Sequence, residues 1–416
     1  MQVAKPVAVI GAGVVGTACA RALQRAGRPV LLVDPAPPGS VCSAGNAGHI
    51  AIEQVQPLAR PEMIASVPRM LANPLGPLTL RWRGLPAMLP WFLRMAAASR
   101  PARVEAGTAA LADLLRTAVA DWRRLLDTPS LAPLLRHEGS FAVTESEAGR
   151  KAAAEEARIM AAHGVRLESL SPQEVAARLP SLSASVTGGQ FFPETAHAVE
   201  PQRLVRELAA RFAAEGGEIL AQPVTGLRRE GGRIAAIEIP GGERAVDSII
   251  LSAGLASARL APLLGIRLPL TAERGYHAML PQGAVPLPCP VSFAERGFIA
   301  TPMEHGTRLA GTVELGAAKR APDWSRADIL VRHARDLFGP VPEPSSRWQG
   351  DRPTLPDYLP AIGPVPGLAN ALVATGHQHL GLTLAAVTAR VLTALRTTGA
   401  PGADLRPFDP ARFGRT

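Results

Sequence analysis

Cysteine is scarce in this chain. Only Cys19, Cys42 and Cys289 occur in 416 residues, far apart and odd in number. Such spacing offers neither a disulfide framework nor a set of metal ligands. It points to a reducing compartment, with the cytoplasm expected. Lysine is as scarce: Lys5, Lys151 and Lys319 are all there are. The net charge of +9 therefore rests almost wholly on arginine, scattered along the chain. With no basic run and no interleaved aromatics, nucleic acid is not an expected partner, while a weakly basic face towards anionic lipid stays open. No apolar run has the length of a membrane-spanning helix, and no charged-then-apolar leader precedes the first strand, so neither a span nor a signal peptide is expected. No internal repeat is visible. Hydrophobic residues make up 47% and charged residues 19%, which excludes disorder and allows one or two domains around a large core.

What is present begins at Val7. Val7 to Ile10 is a short β-branched run, the pattern of a strand buried on both faces. Gly11, Gly13 and Gly16 follow in the spacing G-x-G-x-x-G, then small and apolar residues at helical spacing up to Gly27. Val30 to Val33 is a second buried strand, with Asp34 at its end. Each part has a task. Gly11 permits the tight turn, Gly13 lets a pyrophosphate approach the backbone, and Gly16 lets the helix pack on the sheet. The free N–H groups of the helix start meet the phosphates, and Asp34 accepts from ribose hydroxyls. A lone glycine motif is weak, but strand, helix, second strand and acid together specify a dinucleotide site.

Further along, Pro35 opens a turn and Ser40 to Ile52 is a small, polar, glycine-rich loop. It is either a plain connector or a loop against which a ligand lies. Pro61 to Leu126 is helical in pattern, interrupted by prolines. Within it, Leu85 to Met95 reads as a buried helix rather than a membrane anchor, because Arg83 and Arg94 bracket a run too short to span. Ser171-Pro-Gln-Glu174 is a capping box, and Pro201 to Glu215 an amphipathic helix. Glu218 to Gly254 alternates strands with glycine turns and ends in a buried strand returning to the first sheet. An antiparallel set from Gly275 to Glu314, a helix, a strand at Ala371 to Ala374, a glycine-rich turn and a last helix complete the chain. The fold class is α/β (α+β overall): a Rossmann-like domain interrupted by a second domain with a mainly antiparallel sheet and helices. Residues 1–56, 197–265 and 345–416 are expected in the first, and 57–196 and 266–344 in the second, the substrate-binding domain.

Five segments, VAVIGAGVVGTACA, SAGNAGHI, ERGYHAML, WQGDRPTLPDYLPAIGP and TGHQHLGLTLA, come in an order that resembles the FAD-dependent D-amino-acid dehydrogenase/oxidase superfamily, nearest the bacterial D-amino-acid dehydrogenase small-subunit branch. The resemblance covers almost the whole chain and is less specific for substrate than for superfamily. It implies FAD, bound non-covalently because no cysteine occupies the C-terminal attachment position. Gly11, Gly13, Val14, Val15 and Gly16 would hold the pyrophosphate, with Asp34 and Pro35 at the adenosine ribose. Ser43, Asn46, Ala47 and Gly48 match the loop along the flavin, Val224 the position whose backbone meets adenine, and Ala253 and Gly254 the returning turn. Gly376, Leu380, Gly381, Leu382 and Thr383 match the C-terminal loop and helix start, whose dipole would face the flavin N1–C2=O edge.

In the same family an arginine of the G-x-R-P segment clamps the substrate carboxylate, here Arg352. A planar guanidinium suits that bidentate task. Tyr276 would reach the same carboxylate, and His49 would lie over the flavin ring. His377 and His379 lack a third ligand, so no metal site is expected. The implied reaction is hydride transfer from Cα of a D-amino acid to flavin N5, followed by hydrolysis of the imine to a 2-oxo acid and ammonia. The substrate is a small amino-acid-like molecule, and electrons pass to oxygen, a quinone or a partner protein. Three alternatives stand beside it: a secondary or cyclic amino acid such as D-proline, 4-hydroxy-D-proline or sarcosine; the flavin subunit of a hetero-oligomeric dehydrogenase; and a hydroxy-acid enzyme. Peripheral contact with the inner face of the membrane fits the basic balance.

Overall fold

The computed structural model describes residues 4–317 and 320–414. In chain order, the elements that build the site are strand β1 (Val7–Ile10), helix α1 (Val14–Arg25), β2 (Val30–Val33), β3 (Glu218–Leu220), β4 (Ser248–Leu251), β5 (Thr271–Leu280), β6 (Gly306–Leu315), β7 (Ser346–Thr354), β8 (Ala361–Pro364), β9 (Ala371–Thr375) and helix α2 (Gly381–Thr398).

The first sheet has the order β3-β2-β1-β4-β9-β8. Its strands are parallel except β8, which runs antiparallel to β9. Because side chains alternate, Val7 and Val9 face one layer and Ala8 and Ile10 the other, and all are buried. One layer holds α1, α2 and Pro201–Ala214; the other is the antiparallel meander Gly226–Glu230, Arg233–Ile239 and Gly242–Ala245. Arg21 on α1 is only 3% exposed and is satisfied by a bidentate pair with Glu215, which fixes α1 against the neighbouring helix.

The second sheet contains nine strands and is mainly antiparallel. β7, β5 and β6 lie at one end of it, and Leu78–Leu80 adds to β6 as an unexpected short strand. β7 thus differs from the expected division, which placed 345–416 with the first sheet. Its hydrogen bonds go to β5, from Thr271↔Thr354 to Met279↔Ser346. The chain returns to the first sheet only at β8. An isolated bridge between Thr354 and His377 nevertheless ties the end of β7 to the loop before α2, so the two sheets meet there.

Two helical expectations are also revised. The segment Gln378–Thr398 is long and apolar enough to pass as a membrane span by composition, contrary to the reading above, but 61% of that window is buried, against α1 and the first sheet. Leu85–Ala98 buries only Met88 and Trp91, while Leu89 and Leu93 are 56% and 64% exposed.

Candidate active site

The turn from β1 into α1 is shaped by its three glycines. Gly11 has φ +110°, and a Cβ there would meet the Ser252 carbonyl at 2.4 Å. A Cβ on Gly16 would lie 1.8 Å from the Gly11 carbonyl oxygen. Gly13 is different: its Cβ would meet only the Ser43 hydroxyl, at 3.4 Å. The space over Gly13 is therefore left for something other than protein. The N–H groups of Gly13 and Val15 have no partner among the described residues, and that of Val14 donates to Ser43 Oγ at 3.0 Å. No acidic residue stands in the first turn of α1, so the helix dipole is uncompensated. Asp34 accepts from Ala12 N at 2.7 Å and Ala36 N at 2.8 Å, which orients its carboxylate at the end of β2, beside Pro35.

The remaining cradle follows the same edge. Val224 follows β3, and both its N–H and C=O are unpaired among the described residues. Gly254 has φ +54° and open space at its Cβ position; its carbonyl accepts from Thr375 Oγ1 at 3.2 Å, which joins the turn after Ala253 to the turn at Gly376. Leu380 precedes α2, whose start at Gly381 carries no side-chain cap and no acid. Leu382 and Thr383 are committed to protein: the Leu382 carbonyl accepts from the Trp122 indole at 2.9 Å, and the Thr383 hydroxyl accepts from Ala51 N at 3.0 Å.

The loop Ser43–Gly48 is pinned from the second sheet. Arg308, 4% exposed and paired with Glu200, donates to the carbonyls of Ala44 at 3.2 Å and Asn46 at 2.6 Å. Trp348 covers Gly45, where a Cβ would lie 2.0 Å from the indole, and stacks on His277 at 5.3 Å. The Asn46 side chain accepts from Gly48 N at 2.8 Å, closing a turn through Ala47. His49 follows, buried, with Nε2 2.9 Å from Glu53 and Nδ1 without a partner among the described residues.

Arg352 lies on β7 facing this edge. Its guanidinium rests over Gly275 of β5; a Cβ there would fall 2.3 Å from Nη2. It donates no hydrogen bond and forms no ion pair among the described residues. Around it stand three groups whose titration it influences. Burial raises Cys42 to about 11, with Arg352 opposing; burial lowers His379 to about 3, with Arg352 reinforcing; burial raises Tyr358 well above its usual range, with Arg352 opposing. An unpaired guanidinium beside the loop Ser43–Gly48 can receive an anion.

Tyr276 does not share this site. Strand alternation puts Glu273, Gly275 and His277 on the Arg352 face of β5, and Arg274 and Tyr276 on the other. Tyr276 is 1% exposed, donates to Glu314 at 2.7 Å and accepts from Asp323 N at 3.0 Å. It braces an ion network with Arg81 and Arg274 rather than a substrate carboxylate. The tyrosine at the site is the other one, Tyr358, whose hydroxyl donates to Glu273 at 3.3 Å. Sequence reasoning missed Tyr358, Glu273, Trp348 and Arg308. The G-x-R-P and ERGY segments contain or adjoin most of them, but only the β5–β7 register says which face each takes.

Residues 6–395 match the family described as FAD dependent oxidoreductase, DAO. The chain belongs to that family. FAD fits the cradle described: open space over Gly13 and Gly254, unpaired N–H groups at α1, a free Val224 backbone and an uncapped α2. Among curated relatives of this DAO chain, a D-amino-acid oxidase of Bradyrhizobium diazoefficiens is 34% identical, covering 99% of this chain and 100% of its own length. A D-amino acid dehydrogenase of Paramagnetospirillum magneticum is 32% identical over 95% of this chain and 96% of its own. Among solved structures, glycine oxidase from Geobacillus kaustophilus has a TM-score of 0.76 at 20% identity, covering 98% of each chain. L-proline dehydrogenase from P. horikoshii has 0.75 at 16%, covering 99% of this chain and 98% of its own. These two share the fold.

Proposed function

We propose that this FAD-dependent enzyme oxidises a D-amino acid to its 2-oxo acid and ammonia. The observation that carries the reading is Arg352, an unpaired guanidinium on the face of β5 and β7 that looks towards the flavin loop. Bound FAD supplies the two-electron acceptor for the Cα–H hydride. Arg352 holds the carboxylate and thereby aims Cα, an orienting effect that lowers the barrier by removing a search. Trp348, His277 and Arg308 hold the loop Ser43–Gly48 in place from behind, so the site is organised before substrate enters. The oxidase and dehydrogenase names of the two relatives support the amino-acid substrate.

The test is anaerobic flavin bleaching against D- and L-amino acids, N-methyl amino acids and hydroxy acids. D-amino acids should bleach the flavin fastest. Arg352→Ala should weaken substrate tens- to thousands-fold, the ordinary effect of removing one partner of a desolvated charge pair. Arg352→Lys should recover part, because a point charge lacks the fork. The flavin spectrum should stay native in both. Retained affinity in Arg352→Ala would remove the carboxylate clamp, and preferential bleaching by D-proline or sarcosine would favour the secondary-amine reading.

The acceptor side of the proposal is a membrane quinone, reached by peripheral contact at the inner face. Its support is the stretch 63–104, which contains Arg69, Arg81, Arg83, Arg94, Arg100 and Arg103 and no acidic residue. Of these only Arg81 is ion-paired among the described residues. Trp82, Leu89 and Leu93, exposed by 73%, 56% and 64%, lie in the same stretch.

A further inference from the structure

Glu273 on β5 is a buried carboxylate, 5% exposed, that forms no ion pair among the described residues. Its partners are hydroxyls: Oε2 accepts from Thr354 at 2.9 Å and Oε1 from Tyr358 at 3.3 Å. A buried carboxylate held only by neutral donors is costly unless a cation completes it. The nearest candidate is Arg352, directly opposite in the β5–β7 register and on the same face of the sheet. Opposite charges so placed ordinarily pair. Here the guanidinium instead runs along the strand to lie over Gly275. Positions 273 and 275 are one pleat apart, about 7 Å.

The turn that carries Tyr358 is built to keep this arrangement. Tyr358 has φ +54°, unusual for a bulky residue, and its carbonyl accepts from the side chain of Gln378, itself at φ +48°. Trp91 packs edge-on against the Tyr358 ring at 6.2 Å. The hydroxyl is thus pointed at Glu273 from a fixed backbone.

Two opposite charges, one pleat apart and not joined to each other, suit a ligand that carries both. An α-amino acid does, with its carboxylate and amine on one carbon. We propose that Glu273 receives the substrate α-ammonium while Arg352 holds the carboxylate, and that Glu273 takes the ammonium proton. In that step one N–H bond breaks, an O–H bond forms on the Glu273 carboxylate, and the electron pair stays on nitrogen. The freed lone pair is what makes loss of hydride from Cα feasible. The proposal rests on the amino-acid reading above and adds the base that reading lacks.

The groups facing Glu273 are Arg352 and Thr354 from β7 and Tyr358 from the following turn; His379 and Cys42 feel the charge of Arg352. Tyr358 is raised well above its usual range, His379 lowered to about 3 and Cys42 raised to about 11, each chiefly by burial. None of them changes charge between about pH 5 and 9. An acid limb within that range therefore does not come from these three groups.

The test measures anaerobic flavin reduction by a D-amino acid against pH in the wild type, Glu273→Gln and Glu273→Asp. It is paired with spectral titration by benzoate, a carboxylate without an amine. Glu273→Gln should lose tens- to thousands-fold in kcat/KM at neutral pH. The loss should shrink as pH approaches the free amine's own pKa, where substrate arrives deprotonated. Glu273→Asp should recover part, and benzoate should bind Glu273→Gln at least as tightly as wild type. A change in kcat/KM of less than a few-fold with an unaltered pH profile would overturn the proposal while leaving benzoate binding, and so the Arg352 reading, intact. Failure of benzoate to bind the wild type would overturn both. Should Glu273→Gln not take up flavin, the wild-type profile decides: a limb at the pKa of the free substrate ammonium overturns the proposal, and one several units lower supports it.

Discussion

One methyl group separates the tasks of the glycines at the β1–α1 turn. A Cβ on Gly16 would sit 1.8 Å from the Gly11 carbonyl oxygen, so Gly16→Ala must push α1 away from the sheet. We expect the apoprotein to lose about 1–3 kcal/mol, the usual range for overpacking. Gly13 has φ −69°, which any residue adopts, and its Cβ would meet only Ser43 Oγ. Gly13→Ala should leave the urea midpoint of the apoprotein nearly unchanged and sharply reduce FAD affinity in a flavin titration. Equal midpoints for Gly16→Ala and wild type, or unaltered FAD binding by Gly13→Ala, would contradict this division. The glycine spacing and Asp34 were legible in the sequence because a strand, a turn and a helix are local patterns. Tyr276 was not, because β5 is buried on both sides: Glu273, Arg274, Tyr276 and His277 are all at most 5% exposed. Alternation divides these residues into two faces but cannot say which face meets the cofactor. Nor can it say that a turn residue, Tyr358, swings back beneath the strand.

The helix Leu85–Ala98 shows the same limit for a whole element. Its apolar run reads as buried, yet one face only is covered, by Met88 and Trp91 turned towards Tyr358. Leu89 and Leu93, four residues apart, share the opposite face. With arginines on either side that form no ion pair among the described residues, that face carries the proposed contact with an anionic bilayer surface, where each basic residue contributes roughly 1 kcal/mol. The protein should co-sediment with vesicles containing phosphatidylglycerol and not with pure phosphatidylcholine vesicles. The exposed pair Leu89→Asp with Leu93→Asp should abolish co-sedimentation without changing the flavin spectrum. Equal binding to neutral vesicles, or none to anionic ones, would remove the proposed contact. β7 escaped correct assignment for a related reason. Its sequence has the same local character whichever sheet receives it, and only pairing with β5 decides.

At the scale of the molecule, His197, His277, His377 and His379 are the histidines held furthest below their ordinary range. Burial lowers His277, His377 and His379 to about 3, with Arg308 reinforcing the first and Arg352 the last; His197 is lowered to about 4 by burial, then by His49. Each is neutral in the fold and gains a proton once unfolded below its ordinary value near 6.5. The unfolded chain then binds more protons. Stability is therefore complete above about pH 6.5 and falls as pH drops towards 3–4, by at most about 1.4 kcal/mol per pH unit for each histidine. Urea midpoints at pH 7, 6 and 5 should decline in that order; a flat series would contradict the burial of these side chains. The order of strands in the first sheet has a consequence of its own. β1 leaves the ribosome long before its neighbour β4, which comes more than two hundred residues later, and β9, which covers β4, ends only at Thr375. At about 5–20 residues per second, roughly 20–70 s pass between the emergence of β2 and that of β9. Throughout that interval an apolar parallel strand stands with one edge unpaired, a hazard for a nascent chain. The cofactor cradle cannot close until β4, β9 and the start of α2 have all been made, so flavin is captured only after that last segment has emerged.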